Sequence, residues 1–228
     1  MFVLLAVLGL LALVGIAASI RVVARDETRA RDAPCRDAPA PRHRGFMRQQ
    51  MAGAARSGKS TALLGMAASV RALRTPDGKA PLVYGLCQRR SPLAQAALDK
   101  VAVGTDQVAA LVASVRLARG PVVLLVDDAE QFDDTDASLS GLLGAGLPNL
   151  HIVAAGRSDD LRSLYSHWTK TLRKARAGLL LQPNVDYDGE LLGVTLPRKS
   201  MVPLTLGRGY LCQSGGTTLV QSAGPDAG

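Results

Sequence analysis

Residues 53–61 of this 228-residue chain read GAARSGKST. Gly53 is followed, after four residues, by Gly-Lys-Ser at 58–60, which is the spacing G-x-x-x-x-G-K-[ST] of a phosphate-binding loop. Glycines let the backbone turn tightly there, so that successive N–H groups point at phosphate oxygens. Lys59 is suited to bind the β- and γ-phosphates, and the Ser60 hydroxyl is suited to coordinate Mg²⁺. The stretch therefore predicts a site for a nucleotide with Mg²⁺.

The residues directly before the loop give a weaker signal. A phosphate-binding loop follows a buried strand, yet residues 45–52 read GFMRQQMA, where Arg48, Gln49 and Gln50 interrupt the apolar positions. We expect a short or irregular first strand there. The spacing can also arise by chance in a chain rich in Ala, Gly and Ser, so the motif alone leaves open a vestigial loop.

Downstream of the loop, apolar runs of strand length alternate with segments of helical periodicity. Buried strands are predicted at 81–87 (PLVYGLC), 121–126 (PVVLLV), 149–156 (NLHIVAAG) and 178–181 (GLLL). Helices are predicted at 61–75, 91–102, 105–119, 135–144 and 159–178. Ser91 and Pro92 are suited to begin the second helix. This alternation indicates an α/β fold with a mostly parallel central sheet flanked by helices on both faces.

The helix predicted at 159–178 has one apolar face. The residues on that face are Leu161, Leu164, Tyr165, Trp168, Leu172 and Ala175. We therefore expect Trp168 in the core and not stacked on a nucleotide. The basic residues between Lys170 and Arg176 interact favourably with the negative C-terminal end of the helix dipole, and they could also bind nucleic acid.

Two carboxylates, Asp127 and Asp128, follow the predicted strand 121–126, and open α/β sheets bind ligands at the carboxyl ends of their strands. Asp127 is the predicted water-mediated partner of Mg²⁺, together with Ser60. Asp128 is the candidate base that orients the attacking water, and Glu130 is a second candidate because its side chain is longer. The alternative is an Asp pair that only caps the next helix.

The next predicted strand runs into residues 154–160, AAGRSDD. Its polar end lies at the same edge of a parallel sheet as Asp127. Arg157 or Ser158 is therefore the candidate sensor of the γ-phosphate. Asp159 and Asp160 are better explained as the first residues of a helix.

The first 20 residues, MFVLLAVLGLLALVGIAASI, contain no charge and are long enough for one transmembrane helix. The arginine-rich flank that follows predicts a single-pass protein of the cell membrane with the rest of the chain in the cytoplasm. A cleaved signal peptide is the alternative, although a basic n-region is missing and the apolar run is long for one. A misplaced start codon is a third.

Composition separates a linker from a folded part. Residues 21–45 mix many arginines with Pro and Ala and show no apolar period, so they predict a basic, disordered linker. The net charge of the chain is +8. A basic tract of this kind can bind anionic lipid or nucleic acid, although most such tracts are solvated linkers. Cys35, Cys87 and Cys212 form no C-x-x-C pair, so they suggest neither a zinc site nor a disulfide framework.

The order of loop, strand-end acid and polar strand end resembles the RecA-like ATPases of the FtsK/SpoIIIE family, including the EccC-type ATPases of type VII secretion. The resemblance is most specific in residues 156–211. There a helix with His-Trp at 167–168 leads to the GLLL strand and to a Gly-Arg-Gly turn at 207–209. The similar region covers residues 46–212, and the tail 213–228 is predicted to be flexible.

The resemblance implies a RecA-like P-loop NTPase fold that binds ATP and Mg²⁺. The residues that would then hold ATP are Gly53, Arg56, Ser57, Gly58, Lys59, Ser60 and Thr61. It further implies an ATP-driven translocase that works as a homo-oligomeric ring or beside companion ATPase domains. Such motors move double-stranded DNA or, in the secretion branch, engage secreted proteins. Arg208 is a candidate to reach the nucleotide of a neighbouring subunit.

One residue departs from the family pattern. Family motors commonly carry Glu after the first strand-end acid, whereas this chain carries Asp128. Because the shorter side chain disfavours rapid hydrolysis, two functions compete. One is a membrane-anchored DNA translocase subunit, and the other is a nucleotide-binding, weakly hydrolysing module that recognises protein substrates or partners. The chain is then a motor domain, a terminal or degenerate module, or a fragment.

Overall fold

The computed structural model describes residues 20–22, 47–74, 78, 80–198, 202–213 and 215–222. Within these ranges the strands form a nine-stranded sheet. The strands are β1 (Ile20–Val22), β2 (Met47–Gly53), β3 (Leu82–Cys87), β4 (Lys100–Val103), β5 (Val122–Val126), β6 (Leu150–Arg157), β7 (Gly178–Leu181), β8 (Arg208–Gln213) and β9 (Gly216–Ser222). Their order across the sheet is β1-β9-β8-β7-β2-β6-β5-β3-β4.

The sheet is mostly parallel, as predicted. The six neighbouring strands from β7 to β4 run parallel to one another. Strands β8, β9 and β1 extend the sheet with antiparallel pairing. Because the carboxyl ends of parallel strands meet at one edge, the segments that follow β2, β5 and β6 lie together there.

Five helices lie among the described residues. They are α1 (Lys59–Ala72), α2 (Val108–Leu117), α3 (Ser138–Ala145), α4 (Ser158–Ser163) and α5 (Lys170–Arg173). The predicted helix at 91–102 is wrong. Ser91 caps only a 3₁₀ turn, Pro92–Gln95, and the residues beyond it continue into the edge strand β4.

Strand β2 corrects the expectation of a short or irregular first strand. It has seven residues and lies in the parallel part of the sheet, between β6 and β7. Gln49 and Gln50 are both buried in it. β6 pairs with β2 along its whole length and β7 pairs with it from Gln50 to Gly53, so backbone pairing forms the strand although its side chains are polar. Gly178 allows β7 this close, since a Cβ there would collide with the Gln50 carbonyl oxygen.

Two apolar layers cover the parallel strands. On one face the side chains of β3, β5 and β6 pack against α2, α3 and Trp168. On the other face they pack against α1 and the 3₁₀ turn that Ser91 caps. All five residues of β5 are therefore buried, which explains its uninterrupted apolar sequence.

The single helix predicted at 159–178 is broken into α4 and α5. Trp168 lies between them and is 4% exposed, and its indole N–H donates a hydrogen bond to the Phe132 carbonyl at 2.9 Å. Its predicted place in the core is confirmed. Tyr165 is 80% exposed, so its predicted place on a buried face is wrong. The break interrupts the period of 3.6 residues, and the two aromatic side chains no longer share a face.

The N-terminal predictions fall mostly outside the described residues. This holds for residues 1–19 of the predicted transmembrane helix and for 23–45 of the predicted linker, and Ile20–Val22 pair with β9. In the described part of the chain, no helix has the length and apolar character needed to cross a bilayer. Residues 216–222, predicted as flexible tail, form β9 instead.

A buried histidine, His151, lies on β6 and is 6% exposed. Neither ring nitrogen has a hydrogen-bond partner among the described residues. The side chain borders an apolar cavity of about 30 Å³ that Met66 and Val70 also line. Burial lowers the pKa of His151 to about 4 from its usual 6.5.

We expect His151 to make the protein less stable as pH falls from 6.5 to about 4. In this window the unfolded chain takes up a proton on the imidazole and the folded chain does not. The free energy of unfolding should therefore decrease, by roughly 3 kcal/mol over the whole window. Urea unfolding at pH 7 and pH 4.5 measures it, and His151→Leu should remove this part of the loss. An equal loss in both proteins would contradict the assignment.

Candidate nucleotide site

The phosphate-binding loop joins the end of β2 to the start of α1. Two glycines make its shape possible. Gly58 has φ of +97°, in the left-handed region that favours glycine. A Cβ at Gly53 would lie 2.6 Å from Ser57 Oγ and would collide with the Leu181 carbonyl oxygen. The local sequence thus folds into the predicted cradle, with the N-terminus of α1 at its end.

Lys59 is the first residue of α1, and its side chain folds back onto the loop. Its ammonium donates hydrogen bonds to the carbonyl oxygens of Gly53 at 3.1 Å and Ala54 at 2.7 Å. Burial lowers its pKa, and the nearby carboxylates of Glu130, Asp128 and Asp127 oppose that shift. A desolvated ammonium held beside backbone N–H groups is well placed to bind an anion such as a phosphate.

The loop surrounds an open cavity of about 330 Å³, which is within the usual size range of small-molecule sites. Its lining residues are Ala55, Arg56, Ser57, Gly58, Lys59, Ser60, Thr61, Asp128, Arg157 and Leu206. The structure therefore brings Asp128 and Arg157 to the loop, as the strand-end reasoning predicted. Together these side chains form a mainly polar pocket at the carboxyl edge of the sheet.

Asp127 is 1% exposed and is not among the residues that line this cavity. Its Oδ2 accepts a hydrogen bond from the Ser91 hydroxyl at 2.6 Å, while Oδ1 has no partner in the described part of the chain. A buried carboxylate oxygen without a partner fits a cation or a water molecule bound to one. Sequence reasoning identified Ser91 only as a helix cap and missed its contact with this acid.

Asp128 and Glu130, the two candidate bases, have different surroundings. Asp128 is half-buried at the cavity wall in a left-handed conformation, with φ of +51°. Burial and the neighbouring Asp127 raise its pKa. The Glu130 carboxylate lies against the backbone of Gly156, and no described residue gives it a hydrogen bond of ordinary geometry. Burial also raises the pKa of Glu130, which is not among the residues that line the cavity.

The remaining candidate site residues differ in whether they line the cavity. Arg157 ends β6, is exposed and lines the cavity. Ser158 begins α4, with a buried hydroxyl that has no partner among the residues described. Arg208 is not a lining residue. Its guanidinium donates hydrogen bonds to Gln221 at 3.2 Å and to the Pro203 carbonyl at 3.0 Å.

Leu206 and Gly207, directly before β8, are site residues that the sequence did not reveal. The Gly207 N–H donates a hydrogen bond to the Ser57 carbonyl at 3.0 Å, so this segment touches the loop. Leu206 lines the cavity. No local pattern marks a contact between residues 150 positions apart, and only the folded chain brings them together.

Comparison with solved structures finds similar domains. A protein described as an ATPase matches with a TM-score of 0.61 and 18% identity, over 80% of each chain. The cytoplasmic domain of the type VII secretion ATPase EccC from Thermomonospora curvata matches with a TM-score of 0.60 and 22% identity. The chain has the fold of these ATPase domains. EssC (ATPases 2 and 3) from Geobacillus thermodenitrificans shares this ATPase fold, with a TM-score of 0.58 and 17% identity.

The extent of these matches limits what they establish. They cover 80% and 92% of this chain, but only 24% of the EccC chain and 42% of the EssC chain. At such identities the likeness establishes the ATPase fold, and the activities of the larger proteins do not follow from it. Neither a protein-family model nor a curated protein matches the chain.

Proposed function

We propose that the chain is a nucleotide-binding, weakly hydrolysing module of the type VII secretion ATPase kind, which works beside companion ATPase domains. The observation that carries the proposal is the cavity at the loop, where Lys59, Asp128 and Arg157 meet backbone N–H groups at a helix N-terminus. The similar solved structures are named EccC and EssC, which favours this proposal over a DNA translocase.

Four side chains of the site, together with the loop N–H groups, are suited to bind MgATP. The loop N–H groups and Lys59 would bind the phosphates, and Lys59 can do so by exchanging its two carbonyl partners for phosphate oxygens. Ser60 and Asp127 would hold Mg²⁺, the latter through its free Oδ1. Arg157 lines the cavity and would meet the terminal phosphate. When bound, Mg²⁺ would neutralise phosphate charge.

Slow hydrolysis follows from the arrangement of the acids. Asp128 faces the cavity with a short side chain, and the longer Glu130 is held against Gly156 instead. A base must come within hydrogen-bond reach of the water that it activates. We infer that the site binds ATP well and turns it over slowly, as suits a module whose bound nucleotide controls the recognition of a partner.

Asp128→Glu should raise ATP turnover by about tenfold, because the longer side chain brings the carboxylate nearer the attacking water. ATP affinity should stay within about twofold, since the phosphate-binding groups are unchanged. Steady-state ATPase assays and calorimetric titration measure the two effects. Because aspartate tolerates the left-handed conformation at this position better than glutamate, the melting temperature is measured alongside.

Asp128→Asn is the matched control, with the same size and no basic group, and its turnover should fall below that of the wild type. Equal turnover in all three proteins would contradict the role of Asp128.

The same assay with double-stranded DNA tests the competing function. Turnover that rises severalfold with DNA, and is lost in Lys59→Ala, would favour a DNA translocase. Failure of ATP to bind would overturn both functions.

A further inference from the structure

Leu206 and Gly207, named here the strap, are fixed across one side of the phosphate-binding loop. Their backbone is held from two directions. The Gly207 N–H binds Ser57 O at 3.0 Å, and the Gly207 carbonyl accepts from the Ser222 N–H at 2.7 Å. The Leu206 carbonyl accepts from Gln221 Nε2 at 3.0 Å. The strap is thus a fixed wall of the nucleotide cavity.

The Leu206 side chain projects from this wall and is 64% exposed. The large hydrophobic side chains exposed in the described ranges are Leu117, Tyr165, Tyr187 and Leu206, and of these Leu206 alone lines the cavity. Its Cδ1 lies 3.8 Å from the position that a Cβ would take at Gly58. An apolar side chain held open beside a phosphate site offers favourable burial to the apolar part of a ligand.

The order of the sheet gives the cavity two unlike sides. Asp128 follows β5 and Arg157 ends β6, and both strands lie on one side of β2. The strap precedes β8, which lies on the other side of β2, beyond β7. The phosphate-binding loop stands between them at the end of β2. A nucleoside triphosphate has the same division, with a charged triphosphate at one end and an apolar-faced base at the other.

We infer that Leu206 contacts the nucleobase and that the site accepts nucleoside triphosphates with little discrimination between bases. This rests on the proposed function. Leucine carries no hydrogen-bonding group, and the Leu206 carbonyl and both Gly207 backbone groups are already bonded within the chain. A wall that does not hydrogen-bond the edge of a base separates similar bases poorly, whereas sites that do so separate them strongly.

Calorimetric titration of the full chain with the Mg²⁺ complexes of ATP, GTP and tripolyphosphate tests the inference. The wild type should bind ATP and GTP within about threefold of each other. Leu206→Ala should weaken both by about fivefold to tenfold and leave tripolyphosphate unchanged, because only the nucleotides bring a base to the strap. Leu206→Phe, which keeps an apolar surface, should retain ATP affinity.

Leu117→Ala is the matched control, since that leucine is 81% exposed at the end of α2 and is absent from the cavity lining. It should change none of the three affinities. Equal weakening of ATP and tripolyphosphate by Leu206→Ala would overturn the inference, and so would no weakening at all. A wild-type preference of a hundredfold for one base would overturn the lack of discrimination. If ATP and tripolyphosphate bind no better than to Lys59→Ala, the proposed function itself fails.

Discussion

Replacing Lys59 with alanine is expected to lower ATP affinity on the order of 100-fold, which corresponds to about 3 kcal/mol. The Lys59 ammonium lies within the loop, where it donates hydrogen bonds to two loop carbonyls, and Lys59 lines the cavity. Hydrogen bonds between an ammonium and phosphate are charge-assisted and therefore strong. Calorimetric titration of wild type and variant with MgATP measures the change.

The fold should survive this substitution. Lys59 is almost fully buried, and burial lowers its pKa, so the fold gains little from keeping the charged group there. The melting temperature should therefore change by a few degrees at most. Lys100→Ala is the control, because Lys100 is an exposed lysine on the edge strand β4 that hydrogen-bonds Ser114. Its ATP affinity should equal that of the wild type. Unchanged binding in Lys59→Ala would show that nucleotide does not use the loop.

The second large effect concerns Trp168, whose replacement by alanine should reduce the free energy of unfolding by about 3–5 kcal/mol. The substitution leaves a cavity between the sheet and α2, α3 and α5, and it deprives the Phe132 carbonyl of its indole donor. Urea unfolding followed by circular dichroism measures the loss. If Trp168→Ala does not fold, Trp168→Phe serves instead, because it removes the same hydrogen-bond donor but less side-chain volume. Its free energy of unfolding should still be lower than that of the wild type by about 1–2 kcal/mol.

Tyr165→Ala provides a matched comparison three residues away. Tyr165 is 80% exposed, and its ring lies 5.6 Å from the Lys170 ammonium. An exposed contact of this kind stabilises a protein by about 1 kcal/mol or less. The sequence placed both aromatic residues on one buried face. A loss as large at Tyr165 as at Trp168 would support that single helix over the broken one.

The predictions from sequence succeeded where the pattern is local. The loop spacing gave the position of the cradle, and the apolar runs gave β3, β5, β6 and β7 almost to the residue. Buried parallel strands are read well because both of their faces require apolar side chains. The predictions failed where neighbours decide the conformation. Residues 91–102 were predicted as one helix but form a 3₁₀ turn followed by β4. The single helix predicted at 159–178 is broken between α4 and α5.

The sequence by itself determined the α/β class, the glycines and lysine of the loop, and the acid that follows β5, because each depends on residues close together in the chain. The tertiary structure alone decided that the polar segment of β2 is a full strand, since β6 pairs with all of it and β7 with its second half. It also decided that the Glu130 side chain lies against Gly156 and that Leu206 lines the cavity. The physical reason is that burial and hydrogen-bond partners come from distant segments, which meet only when the sheet has formed.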